Sequence, residues 1–112
     1  MVAMGVGSLG ATAPLTEKQW QQRVVDFAKL KRWMVYHTFD SRHSAAGFPD
    51  LVLVRAPRII FAELKTDRAA SKLTDTQQKW IDELMDCRAA SLHLDVYVWR
   101  PADWSAVRVV LG

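Results

Sequence analysis

Apolar residues recur three and four positions apart in the stretch after residue 16: Trp20, Val24, Phe27 and Ala28, with Lys31 able to lay its aliphatic stem on the same row. Thr16 is a good helix N-cap and Gln19, three residues on, completes a capping box. Leu15 and Trp20 flank it as a hydrophobic staple. The spacing predicts a helix over residues 17–32. Residues 33–38 are rich in β-formers and predict a strand, whereas 39–49 carry the Asp, Ser, Gly and Pro of a loop. The runs 51–54 and 59–64 are continuously apolar, as in strands covered on both faces. A polar, basic loop at 66–72 precedes a second capping box, Thr74 with Gln77. Trp80, Ile81, Leu84 and Met85 then form the stripe of a second helix. Residues 94–99 predict a strand, Pro101 opens a turn or short helical piece, and 107–111 fit a strand or a helix equally well. This order predicts one α/β domain, a mixed sheet flanked by helices.

Composition narrows the setting. A chain of 112 residues, half apolar and 24% charged, suits one packed domain. Residues 1–14, small and Gly/Ala-rich, read as a loose tail, and 15–112 as the domain. The formal charge of +3 permits contact with a polyanion without requiring it. Cys87 is the single cysteine, which excludes an intrachain disulfide and a cysteine-rich zinc cage. Its place in a helical apolar pattern predicts a buried thiol. No apolar run approaches the ~20 residues of a membrane span, and the N-terminus lacks the basic start of a signal peptide. The expectation is a cytoplasmic protein.

The two central strands meet at Ala56-Pro57. If the connection is an even-length hairpin loop, Arg55 faces Arg58 and Val54 faces Ile59. Counting on, Asp50 faces Glu63, with Lys65 on the same face because side chains alternate. A bulge or odd loop would part the carboxylates, and trans-proline is disfavoured at the turn position that Pro57 would take. Two adjacent carboxylates repel, and leaving both ionised is costly unless a cation is shared. Mg²⁺ accepts one or two carboxylates and leaves positions for water and phosphate oxygens, a setting for phosphodiester hydrolysis with Lys65 beside the reacting atoms. The other reading of the trio is a structural salt bridge.

Gly47-Phe48-Pro49-Asp50 followed by Phe61-Ala62-Glu63-Leu64-Lys65 resembles the PD…ExK motif of restriction-endonuclease-like nucleases. With Leu73, Gln77 and Trp80 at Leu-x-x-x-Gln-x-x-Trp spacing, the chain is similar to the VRR-NUC family, in particular its stand-alone phage or bacterial members, over residues 16–99. The resemblance implies that Asp50, Glu63 and the Leu64 carbonyl hold Mg²⁺ or Mn²⁺ and that Lys65 assists the attacking water. It also implies a Glu from the first helix, here Glu17, near the site. Glu17 shares a helical row with Gln21, Val24 and Ala28, although a first-turn Glu is favoured by the helix dipole in any case. Gln77 could likewise point inward or serve only its capping box. The implied activity is a DNA endonuclease of repair or recombination type, cutting branched DNA such as four-way junctions as a homodimer.

The loops offer basic residues for DNA: Arg42 and His43 before Asp50, then Arg68 and Lys72, with Lys79 on the second helix. A solvated surface is the ordinary reading of such groups, and a structural role that of His37. Two alternatives remain: a restriction- or flap-type nuclease with another substrate, and a non-catalytic DNA-binding module that keeps the fold. The latter should lack a carboxylate or the lysine, and all three are present.

Overall fold

The computed structural model describes residues 14–38 and 45–112, so the N-terminal tail, Arg42 and His43 lie outside the described residues. The elements are α1 (Glu17–Leu30), β1 (Met34–His37), β2 (Leu51–Arg55), β3 (Arg58–Leu64), α2 (Asp75–Ala89), β4 (Leu94–Trp99), a 3-10 turn (Pro101–Asp103) and α3 (Trp104–Leu111). The strands form one mixed sheet in the order β1-β2-β3-β4, antiparallel except for the parallel β3–β4 pair. The α/β class and the flanked mixed sheet stand as expected.

Both capping boxes form. Thr16 accepts from the Gln19 N–H while the Gln19 side chain accepts from the Thr16 N–H, and Thr74 with Gln77 does the same. The helix predicted to reach residue 32 stops at Leu30, because Arg32 turns into the left-handed region at φ 70°. The Arg32 N–H then donates to Lys29 and the Trp33 N–H to Ala28, the paired bonds of a Schellman termination. That reversal sends Trp33 into the core.

One face of the sheet carries that core. Trp20, Val24 and Ala28 of α1 and Val107 and Leu111 of α3 pack on Leu51, Leu53, Ile60, Ala62, Leu64 and Trp99, all buried. Each of the Val, Leu and Ile side chains among them contributes about 1.5–3 kcal/mol by leaving water. The buried indoles keep partners: Trp20 Nε1 donates to the Trp99 carbonyl at 3.1 Å and Trp33 Nε1 to Leu111 at 2.9 Å. The ambiguous C-terminal run is therefore helical, with Val107 and Leu111 one turn apart on its inner side.

The opposite face is covered by α2 over β3 and β4, where Phe48 makes edge-to-face contacts with Phe61 and Trp80. Among the described residues of α2, only Ile81 is buried. Met85 is substantially exposed, and Cys87 is exposed, which corrects the buried thiol that the sequence suggested. Cys87 lies six residues beyond Ile81, on the far side of the helix.

Candidate active site

The hairpin register is the even one. Arg55 pairs with Arg58, Val54 with Ile59 and Leu51 with Ala62, and the Ala56–Pro57 peptide is cis, the form in which proline takes the third position of a tight turn. Leu51, Leu53, Ile60, Ala62 and Leu64 face α1, so the alternate residues Asp50 and Glu63 face the α2 side.

Asp50 sits where β1 and β2 converge. The Thr38 N–H donates to its carbonyl at 2.9 Å and the Thr38 hydroxyl to that of Pro49 at 2.9 Å. Its Oδ2 accepts from the Leu64 N–H at 2.8 Å, a charge-assisted bond that ties the first carboxylate to the strand bearing the second. At that step the ladder would set Leu64 opposite Pro49; the Leu64 N–H goes instead to the Asp50 side chain, and Pro49 has no N–H to offer the Leu64 carbonyl.

Glu63 is 1% exposed. Its Oε2 accepts from Gln77 Nε2 at 3.0 Å and stands 3.7 Å from Lys65 Nζ, whereas Oε1 is buried with no hydrogen-bond partner. Burial first, then the Asp50 carboxylate, push its pKa up to about 8, with Lys65 pulling the other way. Gln77 serves both expected purposes at once. Its Oε1 accepts from the Thr74 N–H at 2.9 Å in the capping box, which leaves the amide NH₂ to reach Glu63. The start of α2 is thereby fastened to the end of β3.

Gly47 explains how α2 comes so close, a role that the sequence reading left unassigned. Its φ is 87°, and a Cβ there would lie 2.5 Å from the Thr76 carbonyl carbon and 2.7 Å from the Gln77 nitrogen. Both are backbone atoms that cannot swing aside. Trp80 Nε1 reinforces the contact by donating to the Ala46 carbonyl at 3.2 Å. Gly47→Ala is expected to lower stability by at least the ~1–3 kcal/mol of a strained backbone site. An unchanged urea midpoint would refute the close approach.

Asp50, Glu63, Lys65 and Gln77 thus come together, and Glu17 does not join them. It is exposed in the first turn of α1, on the other face of the sheet, lining a cleft of about 330 Å³ with Thr66, Arg68 and Ser71. Among the described residues no three His, Cys, Asp or Glu side chains are grouped closely enough to hold a metal. Gln21, one turn on, is spent on His37, its Nε2 lying 2.6 Å from the ring Nε2. Arg68, Lys72 and Lys79 are exposed.

The VRR-NUC domain model matches residues 11–100, most of the chain. The chain belongs to the VRR-NUC domain family. No curated protein and no solved structure matches it. Membership makes this a nuclease-type DNA-processing domain, and the matched span contains the whole Asp50, Glu63, Lys65 and Gln77 cluster. Among the described residues no helix is long and apolar enough to cross a membrane.

Proposed function

We propose that this VRR-NUC domain is a divalent-metal-dependent DNA endonuclease in which Asp50 and Glu63, with the Leu64 carbonyl, hold Mg²⁺ or Mn²⁺. The observation that carries the proposal is the orphaned Glu63 Oε1, buried beside a second carboxylate. Leaving such an oxygen unpaired is costly in an inert core, and a hard cation is the partner that two carboxylates suit. The Leu64 carbonyl joins them because its ladder position faces a proline. When bound, the cation would supply activated water and offset phosphate charge.

The chain's own groups do the rest. Leu64 N–H and Gln77 NH₂ orient the two carboxylates, which preorganises the ligand atoms. The Lys65 ammonium, 3.7 Å from Glu63, orients the attacking water and faces the charge that develops on the phosphate. Arg68 and Lys72, with Arg42 and His43, are the phosphate contacts that place the DNA. Branched DNA as substrate, a homodimer to make paired cuts, a repair or recombination role and a cytoplasmic location extend the same reading.

The test is incubation of the protein with linear, flapped and four-way-junction DNA, with and without Mg²⁺ or Mn²⁺. Metal-dependent cleavage is expected, with junctions cut fastest. Preference for flaps or linear duplex would replace the junction reading, and DNA binding without cleavage under any metal would sink the enzyme.

A further inference from the structure

The parallel β3–β4 pair ends abruptly beside Lys65. The Lys65 N–H donates to the Trp99 carbonyl at 2.9 Å, and Trp99 also accepts from Trp20 Nε1. The next ladder bond would come from the N–H of residue 101, but that residue is proline and has none. That N–H would have gone to the Lys65 carbonyl; one residue further on, the Arg100 side chain turns back and Nη1 donates to the carbonyl of Thr66, a residue only 7% exposed. Past the last ladder bond, the end of the strand is thus tied to β4 by a guanidinium.

The bond is well isolated from the rest of the turn. The Arg100 backbone N–H goes to Asp103 Oδ2 at 2.9 Å, independently of the side chain. The following residues are stitched separately, Thr66 N–H to Ser71 Oγ at 3.0 Å and Ala102 N–H to Asp67 Oδ1 at 3.3 Å. Lys65 is therefore held by Trp99 at its own N–H and by Arg100 at the carbonyl that follows. We propose that Arg100 is a positioning residue for Lys65: its guanidinium fixes the end of β3 so that the ammonium stays at the Glu63 carboxylate. This rests on the nuclease reading of the preceding subsection.

Arg100→Ala and Arg100→Lys, with Lys65→Ala as reference, separate the possibilities. Single-site displacements of this kind cost up to about 100-fold in rate. Arg100→Ala is expected to lower kcat by roughly ten- to a hundred-fold with KM within about twofold, Arg100→Lys to recover part of it, and millimolar guanidinium to restore the alanine variant. In the metal-free protein, amide exchange should quicken at Lys65 and Thr66 and stay unchanged in α1. Unchanged exchange at these two amides overturns the inference whatever the activity. So does a rise in KM alone, which would make Arg100 a DNA contact, or a loss of rate that guanidinium does not restore. If the wild-type chain cuts no DNA, the nuclease reading and this inference fall together. If the wild type cuts, Lys65→Ala does not, and Arg100→Ala cuts normally, this inference falls alone.

Discussion

Lys65→Ala is expected to slow DNA cleavage by about 10²–10³-fold, the loss typical of removing one group that stabilises developing charge, while the protein remains folded. The second half follows from the site's electrostatics. Removing one member of a buried ion pair is ordinarily destabilising, because the partner is left as a bare charge. Here the partner can avoid that state. Burial and Asp50 already push the Glu63 pKa up to about 8, and Lys65 is the group that opposes them. Without the ammonium, Glu63 keeps its proton to still higher pH and is buried neutral, still able to accept from Gln77. Mn²⁺ binding, followed by calorimetry above pH 8, should persist, since both carboxylates remain. Asp50→Ala should behave differently: it removes a ligand and strands the Leu64 N–H together, so metal binding and cleavage should both vanish. Wild-type cutting by Lys65→Ala would sink the assignment of that lysine.

Several parts of this site were legible in the residues alone. The register followed from pairing Val54 with Ile59, and the cis peptide before Pro57 removes the objection that a trans-proline turn raised. Gln77 posed a false choice between cap and site, because a primary amide has two ends and the fold uses both. The position of Glu17 was not legible. The row Glu17, Gln21, Val24 and Ala28 tells which side of α1 faces the sheet, but not which sheet face α1 covers. Strands apolar on both sides carry no mark of that choice. In the fold α1 takes the Leu51, Leu53 and Ile60 face, opposite Asp50 and Glu63. Cys87 failed for a related reason: α2 buries Ile81 and little more, so periodicity overstated its inner stripe. The five residues 107–111 were too few for period alone to separate strand from helix. Arg100 left only a faint sign, a long donor placed just before a proline that ends a ladder.

The metal-free protein is expected to lose stability as the pH rises from about 5 to 8, and Glu63→Gln is expected to flatten that slope. In the unfolded chain Glu63 ionises near its ordinary value of 4.5, whereas in the fold it holds its proton to about 8. Between those values the folded state binds the extra proton. The stability it contributes is complete below the lower value and is lost as pH climbs through the upper one. About 1 kcal/mol moves the midpoint of a domain of this size by roughly 4–8 °C, so the decline should be plain in thermal melts taken in EDTA. A glutamine side chain cannot ionise, yet its carbonyl oxygen can still accept from Gln77, so the variant should melt higher than the wild type at pH 8. Mn²⁺ should reverse the order. With the proton gone, two facing carboxylates become a cation site, and ligand binding to the folded state alone raises its stability. The wild type should therefore gain most from the metal at pH 8 and little at pH 5, and Glu63→Gln should gain little at either. A metal-free wild type whose midpoint is flat across this range would show that Glu63 is ionised in the fold at neutral pH, and the case for a cation built on its orphaned oxygen would lose its footing.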